Sequence, residues 1–286
     1  MEQNPIYITE KFISLEKVIA SKNKHLLMVL PKFMLNWFKK LIYLDRINSI
    51  IYKYRDTQGV DFAGKVLEDI GVKVNVVNLQ NIPRQNSRCI VAGNHPLGGV
   101  DGMAIMNTVG QVIKDILFPV NDILCALPEL KGVFVSINKY GRNSGNHDAF
   151  NNAFASDSCV LFFPAGTESK IIKGKVQDFP WKKTFINKAV QYKRDVVPVL
   201  TQAKNSACFY RLGRLRMFFG IKFDFEMILL PREMFAQQGK EITLVFGKPI
   251  SYQTFDNRYT HTQWAQKVRD YVYELDKNPN AEFKIE

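Results

Sequence analysis

Residues 94–102 read Asn94-His95-Pro96-Leu97-Gly98-Gly99-Val100-Asp101-Gly102. A histidine and an aspartate joined by a flexible turn form a usable pair. The carboxylate accepts a hydrogen bond from one ring nitrogen and fixes the tautomer, leaving the other nitrogen to take a proton as general base. The apolar run Cys89-Ile90-Val91-Ala92 just before the turn predicts a strand, which would present the pair at the open edge of a sheet. Gly98, Gly99 and Gly102 let backbone approach a ligand closely, and the amides that open the following helix suit an anion. His25, His147 and His261 lack such a turn. His147 and Asp148 are adjacent on a predicted helix and point about 100° apart, which does not suit a base and its orienter.

The elements that must hold this turn follow from the apolar pattern. Short β-branched or aromatic runs bounded by Gly, Pro, Asn or Asp predict strands over 72–79, 89–93, 116–120, 133–137, 159–163, 196–200, 223–230 and 242–246. Helical spacing predicts helices over 101–114, 146–155, 181–192, 207–219 and 262–275, with Asp101 placed to accept backbone hydrogen bonds at its helix start. The alternation argues an α/β layered domain over residues 61–275. A boundary is expected near 56–62, and Asn278-Pro279-Asn280 predicts a loose tail over 276–286.

The chain of 286 residues, 46% hydrophobic, is long enough to bury a full core. Its net charge of +12 calls for an anionic partner. Residues 22–55 concentrate that charge, with eight Lys and Arg against the single acid Asp45, interleaved with bulky apolar residues such as Phe33, Trp37, Phe38 and Leu44. This composition predicts an amphipathic helical segment over residues 1–60 that lies in a bilayer interface or packs on its own domain. Zinc-finger spacing, a single-strand platform signature and a long basic arm are all missing, so nucleic acid is not the expected partner. With no run of ~18 uncharged apolar residues and no secretory signal pattern, a cytoplasmic protein is expected. Cys89, Cys125, Cys159 and Cys208 are irregularly spaced, which favours reduced thiols over a metal site or disulfides. Residues 209–219 interleave arginines with aromatics. A surface helix packed on the core is expected there, with contact to lipid head groups or a donor's phosphates as the alternative.

Four segments in order resemble the motifs of the glycerolipid acyltransferases, the family of bacterial 1-acylglycerol-3-phosphate acyltransferase (PlsC-type). Asn94-His95 with the spaced Asp101 is similar to the first motif, and Lys131-Gly132-Val133-Phe134-Val135 to the second. Phe162-Phe163-Pro164-Ala165-Gly166-Thr167-Glu168-Ser169 resembles the third, Val196-Val197-Pro198-Val199 the fourth, and Phe246-Gly247-Lys248-Pro249-Ile250 a closing strand and turn. The resemblance implies a mixed, largely parallel sheet flanked by helices. It also implies transfer of a fatty acyl chain from acyl-CoA or acyl carrier protein to a lysolipid hydroxyl, without a cofactor or metal. His95 would be the base and Asp101 its orienter, with amides near 98–102 or 165–167 facing the oxyanion. Gly166, Thr167 and Glu168 would line the acceptor site, and the protein would sit peripherally on the cytoplasmic face of the membrane.

Two departures bear on the acceptor and the dyad. His95 and Asp101 are separated by five residues where the family usually has four, an excess that a bulge at Gly98-Gly99 can absorb. Ala165 and Glu168 stand where the family commonly has Glu and Arg. An arginine there would grip an acceptor phosphate, whereas Glu168 repels one. Lys139 and Arg142 after the second motif, or Lys170 and Lys173 after the third, are candidates for the lost grip. The alternative is a phosphate-free acceptor, an N-acyl amino-acid lipid. An alternative of another class is a non-catalytic, basic membrane-surface protein on a degenerate acyltransferase fold. The chain has no phosphate-binding loop around Gly141–Gly145 and no Gly-x-Ser-x-Gly elbow, which disfavours nucleotide hydrolysis and serine hydrolysis.

Overall fold

The computed structural model describes residues 13–22, 24–84, 88–121, 124–137, 144–221 and 224–285. Five helices lead in: α1 (Leu15–Lys22), α2 (Lys24–Val29), α3 (Lys32–Leu41), α4 (Leu44–Lys53) and α5 (Gly59–Asp69). The layered part runs β1 (Lys73–Val77), β2 (Cys89–Gly93), α6 (Gly99–Gly110), β3 (Ile116–Val120), β4 (Phe134–Ser136), α7 (Ser144–Ala155) and β5 (Cys159–Phe162). It continues with a hairpin, β6 (Lys170–Ile172) and β7 (Lys175–Gln177), then α8 (Thr184–Tyr192), β8 (Asp195–Gln202) and α9 (Ala207–Phe218). The chain closes with α10 (Leu230–Phe235), β9 (Glu241–Phe246) and α11 (His261–Glu274).

Seven described strands form one sheet in the order β1-β9-β8-β2-β5-β3-β4. Neighbours run parallel except β8 and β9, so the sheet is mixed and largely parallel, as expected. β2 lies in the middle and is buried on both faces. Cys89 and Val91 join the core beneath α4, α5 and α6, while Ile90 and Ala92 join the core beneath α7, α8 and α11. This period-two split over a fully apolar strand is what a sheet covered by helices on both faces requires. Cys89 and Cys159 face each other on adjacent strands as free buried thiols, their sulfurs 3.5 Å apart.

The fold differs from the sequence expectations at four places. Residues 224–230, the described part of one expected strand, are not a strand. Phe225–Leu229 is a 3-10 turn that runs into α10, where Pro231 suits the helix start and Glu226 must turn inward. The hairpin β6–β7 is unanticipated; Lys173 and Gly174, both at positive φ, make its tight turn. The tail is not loose. Ala281 is buried, Phe283 packs on Trp264 and Tyr271, and Asn78 Nδ2 donates to the Pro279 carbonyl at 2.7 Å. Nor does the chain separate near 56–62, because Ile50 and Ile51 of α4 enter the main core and Tyr54 donates to Asp69 of α5 at 3.0 Å. α3 behaves differently. Of its side chains only Leu35 is buried, while Phe33 and Trp37 are 72% and 57% exposed. No helix of the described residues is long and apolar enough to cross a membrane.

Candidate active site

β2 and β5 are parallel neighbours, so the turns at their carboxyl ends, residues 94–98 and 163–169, emerge side by side. In open α/β sheets this edge is where ligands bind. Asn94 fastens the first turn to β8: its Nδ2 donates to the Thr201 carbonyl at 3.0 Å and its Oδ1 accepts from the Thr201 amide at 2.7 Å. Asn205 Nδ2, just beyond the end of β8, donates to the Pro96 carbonyl at 3.1 Å and also holds the turn.

His95 and Asp101 meet. The Nδ1 to Oδ1 distance is 3.0 Å, and Asp101, fully enclosed, also accepts from the amides of Leu97 at 2.8 Å and Gly102 at 2.9 Å. Gly98 lies in the turn between them with φ at 79°; a Cβ there would approach Leu230 to 3.1 Å as well as being strained. The imidazole stacks on Phe163 at 3.8 Å between centroids and is 15% exposed, so its outer edge reaches solvent. With Nδ1 engaged by Asp101, Nε2 is the nitrogen left to receive a proton.

Glu168 faces that nitrogen. Its Oε1 lies 3.8 Å from Nε2, its side chain is 7% exposed, and its Oε2 accepts from Thr167 Oγ1 at 3.3 Å. The imidazole is thus flanked by a carboxylate on each side. Burial alone would lower its pKa, but the charge of Asp101 and its hydrogen bond, then the charges of Glu168 and Asp178, outweigh burial and raise it to about 9. At neutral pH the resting imidazole is protonated, and it becomes a base once the negative charge around it is offset or the pH rises.

Asp178 gave no signal in the sequence. It is fully buried and joins both turns: Oδ1 accepts from the His95 amide at 3.2 Å and from Ser169 Oγ at 2.5 Å, and Oδ2 accepts from Trp181 Nε1 at 2.8 Å. The Ser169 amide closes the link by donating to the His95 carbonyl at 2.8 Å. Burial pushes the Asp178 carboxyl up despite these donors. Phe163, Asn205 and Asp178 act on His95 only across the tertiary fold. A lone Asp before Phe-Pro-Trp carries no sequence pattern that would have found it.

The remaining expected site residues divide. Gly166 and Thr167 lie in the second turn beside Glu168, but the Gly166 amide donates to the Phe163 carbonyl at 3.1 Å and is committed there. The Gly102 amide is committed to Asp101. As the first residues of α6, Gly99 and Val100 have amides without an acceptor inside the helix. Lys170 faces away from the cleft: it is enclosed, with Nζ 2.9 Å from Glu226 Oε1 and 5.1 Å from the Phe209 ring centroid. Strand alternation and the buried Glu226 turn it inward, so it does not replace a phosphate grip. Lys139 and Arg142 lie outside the described residues.

Comparison with known proteins identifies the family. The profile of the family described as "Acyltransferase" matches residues 17–281. A lyso-glycine lipid O-acyltransferase of Phocaeicola vulgatus is 37% identical over 280 residues, covering 96% of this chain and 100% of that protein. Its counterpart in Bacteroides thetaiotaomicron is 39% identical over 265 residues, covering 92% of this chain and 97% of the relative. The crystal structure of the 1-acyl-sn-glycerophosphate (LPA) acyltransferase, PlsC, from Thermotoga maritima is 16% identical and aligns with a TM-score of 0.46 over 88% of this chain and 99% of that one. With the family profile spanning nearly the whole chain and two relatives above a third identical along it, the protein belongs to the acyltransferase family and is an acyltransferase.

Proposed function

We propose that this enzyme transfers a fatty acyl chain from the thioester of acyl-CoA or acyl carrier protein to the hydroxyl of a lysolipid built on an N-acylated amino acid. Nε2 of His95 takes the hydroxyl proton while the hydroxyl oxygen attacks the thioester carbonyl. The C–O bond forms, the tetrahedral oxyanion collapses, the C–S bond breaks, and the imidazolium returns the proton to the departing thiolate. Asp101 holds the tautomer and steadies the imidazolium. The first-turn amides of α6 at Gly99 and Val100 are the donors for the oxyanion. The thioester supplies the activation, so the scheme uses neither cofactor nor metal.

The observation that carries the acceptor assignment is Glu168, 3.8 Å from Nε2, where the family commonly has a phosphate-gripping arginine. A carboxylate there repels the dianionic phosphate of a 1-acylglycerol-3-phosphate and suits an acceptor that brings hydrogen-bond donors, such as an amide N–H. The two lyso-glycine lipid O-acyltransferases support the same choice. The enzyme works at the cytoplasmic face of a membrane, where donor and lysolipid meet, with exposed Phe33 and Trp37 of basic α3 contributing to attachment. Purified protein given labelled acyl donor should acylate a hydroxyl-bearing N-acylglycine with a higher kcat/KM than 1-acylglycerol-3-phosphate, and His95→Ala should abolish transfer. Equal or faster transfer to the phosphate acceptor would overturn the acceptor assignment, and transfer surviving in His95→Ala would overturn the base.

A further inference from the structure

The C-terminal end of α9 sorts its residues the wrong way round for a helix that meets only water and its own core. The helix's inward face carries Phe209, Tyr210 and Gly213, but also Arg216, whose guanidinium lies 2.9 Å from Glu226 and 2.7 Å from Asp224. Its outward end carries Leu215 and Met217, then Phe218 and Phe219, which are 82% and 65% exposed; Ile221 follows, also exposed. A soluble amphipathic helix does the reverse. The ion pairs fix this presentation, since Glu226 also holds Lys170 and so ties the tip to the strand that follows Glu168 and Ser169.

Two further features give the surface a direction. The other end of the helix adjoins the catalytic turn, where Asn205 bonds Pro96, and α9 spans about 18 Å from there to its tip. The surface also continues into α3. Leu41, one turn beyond exposed Trp37, packs on the same small cluster as Phe209, Leu212 and Leu229.

We propose that the outward face of α9, with its tip at Leu215, Phe218 and Phe219, is a second lipid-contacting surface that enters an anionic bilayer beside α3. Exposed Arg211 and Arg214 between the apolar residues complement anionic head groups, while side chains as exposed as Phe218 and Phe219 suit hydrocarbon. An acidic carrier protein would match the arginines but leave the tip unused. This inference rests on the enzyme working at a membrane surface, and its test separates the two.

The full chain, a Leu215→Ser/Phe218→Ser/Phe219→Ser variant and a Phe33→Ser/Trp37→Ser variant are sedimented with vesicles of phosphatidylethanolamine and phosphatidylglycerol. Each is also assayed with a short-chain acceptor below its micelle concentration. The tip variant should lose about tenfold or more of its vesicle partition while keeping its rate on the monomeric acceptor. If only the α3 variant loses partition, the α9 surface is wrong and the membrane assignment stands; if neither loses it, both are wrong. A tip variant that keeps its partition but loses transfer from acyl carrier protein assigns the face to the carrier and overturns the proposal. As a check independent of multiple substitution, Phe218→Trp in a Trp37→Phe background should shift its emission to the blue on vesicle addition. Unchanged emission refutes insertion of the tip.

Discussion

Replacing Glu168 by glutamine keeps the shape of the side chain and removes one of the two carboxylates beside His95. At 3.8 Å a unit charge is worth about 4 kcal/mol to the imidazolium at an effective dielectric near 20, and about 1 kcal/mol in bulk water. Both side chains are largely buried but reach the cleft, which places the pair between these limits, at about 1.4–2.7 kcal/mol, or about 1–2 pKa units. The pKa of His95 should therefore fall from about 9 toward ~7–8. The neutral fraction at pH 7 then rises from about one part in a hundred to about one in ten or more. The assay is kcat/KM against pH, which reports the free enzyme's base. The rising alkaline limb of the variant should lie ~1–2 units lower than that of the wild type, whatever happens to the plateau above it. The plateau separately measures what Glu168 contributes to holding the acceptor. Stability gives the matching sign. Because the folded-state pKa of His95 is raised, its contribution is complete below about pH 6.5 and disappears as pH rises through about 9. The variant should thus melt below the wild type in acid, with the gap closing through that window. An alkaline limb that stays in place, or moves upward, would refute the two-carboxylate account of the imidazole.

Asp101→Asn leaves at least one of the three donors now facing the carboxylate, His95 Nδ1, Leu97 N and Gly102 N, opposite an amide NH₂. It should cost about 1–3 kcal/mol of stability and lower kcat by about a hundredfold or more, and a kcat within about threefold of wild type would count against Asp101 as the orienter. Deleting residues 277–286 removes Ala281 and Phe283 from the core around Trp264 and Tyr271. The denaturant midpoint should fall by the equivalent of about 3–5 kcal/mol, and an unchanged midpoint would restore the loose tail expected from Asn278-Pro279-Asn280.

The sequence by itself determined the sheet strands at 73–77, 89–93, 116–120, 134–136, 159–162, 195–202 and 241–246, and helices α6, α7, α8, α9 and α11, to within a few residues. Apolar runs bounded by turn residues are local signals, and burial on both faces leaves no polar alternation to confuse them. The His95–Asp101 pair was legible for the same reason, being contained within a single turn. Short or ambiguous apolar runs went the other way. Residues 223–230 look like a strand until Glu226 is required to meet Lys170 and Arg216, and the tail looks polar until Phe283 finds Trp264. Only the tertiary structure decided what surrounds the imidazole: Phe163 stacked beneath it, Glu168 facing Nε2, and Asp178 joining the ends of β2 and β5 from a loop some eighty residues away. It also turned Lys170 inward and Phe218 outward. Charge and hydropathy along a chain count what a segment contains. Which face meets solvent, core or membrane depends on the packing of distant elements, and so do the pKa of the imidazole and the outward tip of α9.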